Sequence, residues 1–178
     1  MIYLNRMTEG DLPLILKWKR QEHYLSRRLN LQYDNLSMNS QKIWFKNINE
    51  NDKCMYWIIK SGSIKIGIAD INHIDYKEKK CDMECIIGDI HFRNRGIKPI
   101  VLYNLYEYAF DKLNMDEVCR RIRIDSEKEY DFESENAKKV NISMNKDENP
   151  IDIKYVKIKD SDWRKIRNEY SIEKVLIH

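Results

Sequence analysis

The sequence predicts an α+β fold, a mostly antiparallel sheet with helices packed on it. Three observations carry this expectation. The hydrophobic period is helical before residue 50, alternates in twos from 54 to 88, and returns to helical spacing from 99. The alternating stretch holds two polar turns, "KSGS" and "DYKEKK", which divide it into a three-strand meander at about 55–60, 64–74 and 81–87. The strand before Arg93 and the strand read at 117–124 are joined through a helix, which requires one parallel crossover.

Each element has a local reason. "IYLNRM" reads as a first strand. Thr8 stands where a helix N-cap belongs, with Asp11 three residues on, and Leu12, Ile15, Leu16 and Lys19 follow at helical spacing. A second helix runs through "SMNSQKIWFKNINEN", capped near Asn39 or Ser40, with Ile43, Trp44 and Ile48 inward. After the meander, Val101, Leu105, Tyr108, Ala109 and Lys112 recur on successive turns of a helix from about Pro99 to Leu113. "DEVCRRIRI" is a fifth strand, "IDIKYVKIK" a late strand, and "SDWRKIRNEYSIEKVL" a C-terminal helix capped by Ser161 or Asp162. The charged segment 125–149 gives no clear period.

Composition bounds the function. A chain of 178 residues is expected to form one domain, 1–178, large enough to bury a core. Charged residues make up 34% of the chain, and no apolar run approaches the roughly 20 residues of a membrane span. The N-terminal "MIYLNRMTEGDLP" lacks an apolar signal core, so a cytoplasmic location without membrane contact is expected. With 32 basic against 29 acidic residues, the charge does not argue for nucleic acid. The cysteines at 54, 81, 85 and 119 form no CxxC pair, so neither a metal centre nor a zinc site is expected. Cys81 and Cys85, four apart in a strand, would be about 13 Å from one another, too far for a disulfide.

The stretch most suited to a ligand is "IIGDIHFRNRGIKPIVLYNLYEYAF". A strand ends in a basic turn containing Gly96, and a helix begins at once. The first N–H groups of a helix have no partners within it, and the helix dipole is positive there, so such a turn favours a phosphorylated ligand. Arg93 and Arg95 add charge, and Gly96 permits close backbone approach.

The wording of this stretch and the order of elements resemble the GNAT superfamily of acetyl-CoA-dependent N-acetyltransferases. The family's pyrophosphate loop, Gln/Arg-x-x-Gly-x-Gly/Ala, is matched by Arg93-Asn94-Arg95-Gly96-Ile97-Lys98. "MTEGDLPLILKWKR", "IGIADINHIDYKEKKCDMECIIGD", "LYEYAFDKLNMDEVCRRI" and "YVKIKDSDW" resemble further segments, covering residues 1–124 well and 150–165 weakly. The resemblance implies an α/β/α sandwich whose sheet splays between its fourth and fifth strands, with helices on both faces. It implies acetyl-CoA as co-substrate, held by backbone groups around Cys85, Ile86 and Ile87 and by the loop residues Arg93, Asn94, Arg95, Gly96, Ile97 and Lys98. A small amine would be the second partner, and a homodimer is common in the superfamily. Trp18, the "WF" at 44–45 and the hairpin are similar to a subgroup that includes the pseudaminic-acid-pathway amino-sugar N-acetyltransferases, so an amino sugar on a nucleotide is the first acceptor expected. Protein, ribosomal-protein or polyamine acceptors, or a non-catalytic GNAT-fold binding module, are the alternatives.

Alternation places Asp82, Glu84 and Ile86 on one strand face and Met83, Cys85 and Ile87 on the other. Glu84, two residues before the expected gap, is the candidate general base; the alternative is a solvated strand charge. His73 on the neighbouring strand is the second candidate, or a structural histidine. The cluster Arg20, Arg27 and Arg28 points to an anionic acceptor, or is a solvated helix face. Two features depart from the family pattern. Lys98–Pro99 replaces the small residue of the loop, with Pro99 read at the first helical position. The "N..A..LY.K.GF" segment, which carries a general-acid Tyr, has no equivalent, and Tyr130 does not fit the spacing.

Overall fold

The fold was described from a computed structural model, which covers residues 1–21, 37–123, 130, 132–133, 137–142 and 151–178. Eight strands form one sheet: β1 (Ile2–Arg6), β2 (Met55–Ser61), β3 (Ile64–Asp75), β4 (Lys80–Ile87), β5 (Glu117–Arg123), β6 (Ala137–Ile142), β7 (Ile151–Lys159) and β8 (Leu176–Ile177). Their spatial order is β6-β7-β5-β4-β3-β2-β1-β8. The β4–β5 and β1–β8 pairs are parallel and the rest antiparallel. The helices are α1 (Leu12–Gln21), α2 (Met38–Asn49), α3 (Ile97–Glu107, continued by a wider turn over Tyr108–Lys112) and α4 (Asp160–Glu169).

The expected meander forms with its two turns where the polar clusters stand. Each β2–β4 strand turns successive side chains to opposite faces, and both faces are covered. One face presents Trp57, Ile59, Ala69, Ile71, Met83, Cys85 and Ile87, packed under α3 through Val101, Leu102, Leu105 and Tyr106 and under α4 through Trp163. The other presents Ile58, Ile68 and Ile86 to Ile15 and Trp18 of α1 and to Trp44, Phe45 and Ile48 of α2. This is the α+β sandwich expected from the sequence.

Thr8 caps a tight 3-10 turn over Glu9–Asp11 that leads into α1, rather than α1 itself: the Thr8 amide and hydroxyl each donate to Asp11 Oδ2 at 2.8 Å. Burial would raise the Asp11 carboxyl, but bonds from Lys65 and Thr8 outweigh it and hold the group below its usual range. The Lys65 ammonium lies 2.6 Å away. Between α1 and α2, buried Lys19 donates to Gln41 Oε1 at 2.5 Å and lies 4.3 Å from the Trp44 ring centroid. Burial depresses its ammonium to about 8.

Several boundaries differ from expectation. The cap of α2 is Ser37, which accepts from the Ser40 amide, rather than Asn39 or Ser40. α3 begins at Ile97 after Gly96, so Pro99 is its third residue; it still falls among the first four, whose N–H groups lack helical partners. α4 begins at Asp160 rather than after a Ser161 or Asp162 cap, and it stops at Glu169 rather than continuing to Leu176. The chain after it runs across α3. Asn104, buried on α3, donates to the Glu173 carbonyl at 2.9 Å and accepts from the Val175 amide at 3.0 Å. Tyr103 donates to the Tyr170 carbonyl at 3.2 Å. These bonds satisfy backbone groups that a helix would have paired internally, and they deliver β8 to the open edge of β1. β6 was not foreseen, because it lies in the charged segment without a readable period.

Candidate active site

The register of the meander stacks side chains into rows across the sheet. Ile58, Ile68 and Ile86 form an apolar row on the α1–α2 face. The next row toward the strand ends is Tyr56, Asp70 and Glu84, and the one after it includes Asn72, Asp82 and Cys119. The sheet face thus changes from aliphatic to carboxyl-bearing within two residues along β3 and β4, and to a phenol along β2. A cleft of about 620 Å³ opens over the two polar rows.

The carboxyls of the cleft are more buried than its cations. Asp70 is 3% exposed, and Asp82 and Glu84 are half-buried, whereas Lys53 and Arg121, which also line the cleft, are exposed. Burial, then the neighbouring Glu84 charge, pushes the Asp70 carboxyl well above the carboxylate range, against an opposing bond from Asn72 Nδ2 to Asp70 Oδ1. Burial likewise raises the Tyr56 phenol. At the rim, His73 Nδ1 lies 3.0 Å from Asp82 Oδ2. His73 has φ +49°, a left-handed conformation that costs a non-glycine residue energy and turns its ring to this rim.

Beyond the third shared register pair, β4 and β5 part. They pair only over Lys80–Asp82 and Glu117–Cys119, while β4 stays paired to β3 as far as Ile87. The β4 edge from Met83 to Ile87 therefore faces no strand on that side. Alternation turns the backbone groups of Cys85 and Ile87 into the gap and those of Ile86 toward β3. Two gap-facing groups find partners in nearby side chains. The Cys85 N–H donates to Glu84 Oε1 at 3.1 Å, and the Ile87 carbonyl accepts from Arg93 Nε at 2.9 Å. The Cys81 and Cys85 thiols, on the other face, are free and buried, and burial pushes both up to about 12.

The turn after β4 is built around two glycines with different reasons. A Cβ on Gly88 would lie 2.3 Å from the Trp18 indole, so α1 can seat on the turn only because that atom is missing. Gly96 has open space around it but φ +71°, a left-handed N-cap that starts α3. Asn94 is also left-handed at φ +57°, and Asn94, Arg95 and Gly96 are exposed, so the turn presents backbone to solvent beside the α3 N-terminus. Arg95 covers the Phe92 ring at 5.4 Å. Arg93 closes the end of β4, with its guanidinium also bonded to the Gly88 carbonyl at 3.0 Å. Lys98 turns back from α3 toward β4, where its Nζ lies 3.8 Å from Glu84 Oε1 with both side chains largely buried.

Glu84 and His73 line the cleft, and Glu84 links it to the unpaired β4 edge through Cys85 N–H and to the 93–98 turn through Lys98. Asp70 and Tyr56 were missed by sequence reasoning. Counting outward from the two meander turns would not have placed them there, because each hairpin shifts register between its turn and this row, at Ile59/Lys60 and at Asn72/Asp75. Of the basic cluster, Arg20 lines a separate open depression on α1 with Pro13, Leu16, Lys17 and Met38; Arg27 and Arg28 lie outside the described residues. Among the described residues, no cluster of His, Cys, Asp and Glu has the arrangement of a metal centre, and no helix is long and apolar enough to cross a membrane.

The model of the acetyltransferase (GNAT) domain family matches residues 2–128, and the chain belongs to that family. A splayed sheet with a helix starting at the mouth of the gap is thus set in an acyltransferase scaffold. No curated protein sequence matches the chain. Among solved structures, spermidine N-acetyltransferase from Vibrio cholerae in complex with CoA and spermine is similar over 92% of this chain and 98% of its own, with TM-score 0.76 and 13% identity. The spermidine/spermine N-acetyltransferase from the same organism in complex with manganese ions matches over 96% and 97%, with TM-score 0.74 and 14% identity. A dodecameric structure of the Vibrio cholerae spermidine enzyme in an intermediate state matches over 91% and 95%, with TM-score 0.68 and 13% identity. At these identities the likeness is one of fold.

Proposed function

We propose that this acetyltransferase transfers acetyl from acetyl-CoA to a primary amine of a small cationic molecule of the polyamine type. The observation that carries the reading is the carboxyl-bearing row Asp70–Glu84, sunk in the cleft beside the unpaired β4 edge. An ammonium is attracted there, whereas a nucleotide-linked amino sugar, the first acceptor expected from the sequence, would bring two phosphates against the same carboxyls. The solved structures named above, one with spermine bound, support the same class of acceptor.

Acetyl-CoA supplies the activated acyl group. The gap-facing backbone of Cys85 and Ile87 suits the amides of its pantetheine arm, which would run along β4 as an added strand does. The exposed backbone of Asn94–Gly96 and the first N–H groups of α3, at Ile97 and Lys98, suit its pyrophosphate. Glu84 takes the acceptor's proton, because only the neutral amine attacks a thioester. To do so it leaves the Cys85 N–H, which the pantetheine arm needs. His73, paired with Asp82 at the rim, passes that proton on to solvent.

The test is thiol release from acetyl-CoA with spermidine, spermine, a UDP-linked amino sugar and an N-terminal peptide as acceptors. Turnover restricted to the polyamines is the expected result. Preference for the nucleotide sugar would replace the acceptor class, and acetyl-CoA binding without any turnover would favour a binding module. Sedimentation of the purified chain determines its self-association.

A further inference from the structure

Asp70 has no part in the steps above, yet it is the most buried charge-bearing group of the cleft. Among the described residues no cation forms an ion pair with it. Its one side-chain bond among the described residues is from Asn72 Nδ2 to Oδ1, and the residue lines the cleft. Glu84 stands directly opposite on β4, and Tyr56 directly opposite on β2. Asp82 of β4 and Arg121 of β5 are the further charges that act on it, and Lys98 of α3 approaches from behind Glu84. Lys53, Cys54, His73 and Cys119 complete the titratable groups lining this space.

Asn72 gives a second, independent indication. Its Oδ1 is buried with no partner. A carboxamide can turn either its NH₂ or its oxygen toward a neighbour. Facing Asp70, it serves the ionised carboxylate in one orientation and the protonated carboxyl in the other.

We propose that Asp70 and Glu84 act as one proton-accepting unit that holds a single shared proton at rest, loses it by way of Asp82 and His73, and then takes the proton of the incoming ammonium. The proposal rests on the acetyltransferase reading above. A lone carboxylate is a poor base for an ammonium. Two carboxyls on facing positions of a desolvated sheet resist double ionisation, and the doubly ionised pair is correspondingly more basic. In the step itself, one proton passes from the R–NH₃⁺ nitrogen to the pair, and the freed lone pair attacks the thioester carbonyl carbon. The C–N bond forms and the C–S bond breaks. The thiolate leaves with the bonding electrons and takes a second proton from the same nitrogen, giving a neutral amide and a thiol.

Two measurements test this. Infrared titration of the protein without substrates should show a protonated-carboxyl band that persists to neutral pH and disappears in Asp70→Asn and in Glu84→Gln. An unchanged band in both variants would overturn the pair. The pH profile of kcat/KM with spermidine should have an acid limb that Asp70→Asn moves down by one pH unit or more, while Asp70→Glu keeps it near the wild-type position. Superimposable limbs for wild type and Asp70→Asn would also overturn it. A purely structural Asp70 would change stability or KM and leave the limb in place. If wild type turns over no amine, the acetyltransferase reading fails, and the infrared titration still decides the pair. Should Asp70→Asn not fold, the Glu84→Gln spectrum decides alone.

Discussion

Two buried ionic clusters lie on either side of the β4–β5 junction, and they are built on opposite rules. On the α3 side, Arg120 of β5 and Glu133 are both fully buried and joined by two bonds, of 2.8 and 2.5 Å. Tyr106 donates to the same carboxylate at 2.9 Å, and the Tyr130 amide at 3.1 Å. Burial alone would lower the Arg120 guanidinium, but the carboxylate overrides it and holds the charge in place. On the cleft side, Asp70 and Glu84 face each other as like groups, and the Lys98 ammonium stands 3.8 Å from Glu84. The first cluster closes its charges on one another and pins the 130–133 stretch to β5 and α3. The second leaves charge unbalanced beside open space. A protein keeps such an arrangement at a cost in stability, and the usual reason is chemistry.

The contrast can be broken most strongly at the closed cluster. Glu133→Gln leaves a buried guanidinium without its counter-charge and should cost about 3–5 kcal/mol, read as a lower midpoint in urea unfolding. A loss below about 1 kcal/mol would mean that the pair is not the fastening described. At the open cluster the same change should act on rate instead. Glu84→Gln is expected to lower kcat by about 10²-fold or more while moving unfolding by less than about 1 kcal/mol. Near-wild-type turnover would remove Glu84 from the proton path.

Smaller effects sharpen the comparison. The raised Asp70 carboxyl keeps its proton in the folded chain at pH values where the unfolded chain, titrating near 3.8, has lost it. Folded protein then binds more protons, so stability falls as pH rises from that value through the folded-state titration. Asp70→Asn lacks this fall. Its stability relative to wild type should improve as pH rises above the unfolded-state value, measured by urea unfolding at each pH. An unchanged difference across that range would show that Asp70 is ionised in both states. The smallest change is expected for Lys98→Met. Removing the cation beside Glu84 should cost less than about 1 kcal/mol in urea unfolding. A loss as large as that of Glu133→Gln would mean that the Lys98–Glu84 contact is a fastening of the same kind.

The meander, its turns and the helix after Gly96 were legible in the sequence because local signals agree there: strict alternation, polar turns and a basic glycine turn. Asp70 was not legible, because its partners Tyr56 and Glu84 are set by a register shift in each hairpin that the turn positions do not announce. The Arg120–Glu133 pair was not legible. An arginine in "DEVCRRIRI" reads as solvated, and its partner stands 13 residues away in a segment with no period of its own. β8 was hidden for a related reason. "SIEKVLI" continues a helical pattern after α4, and only the carbonyls and amides captured by Asn104 and Tyr103 draw it out straight. Lys98, read in the sequence as one of the loop residues, turns its ammonium toward Glu84 in the folded chain, a contact that no local pattern announces.

The narrow junction between β4 and β5 has a consequence for how the molecule comes apart. Three register pairs hold the two halves of the sheet together along that seam, with β1–β4 contiguous antiparallel strands on one side and β5–β7 on the other. Although one core joins side chains of both halves, this seam is where native-state amide hydrogen exchange is expected to separate them into units with different opening free energies. A ligand laid along the free edge from Met83 to Ile87 would act as a splint across the seam. Its binding would be read as slowed exchange in β5 and β7, strands that it need not touch.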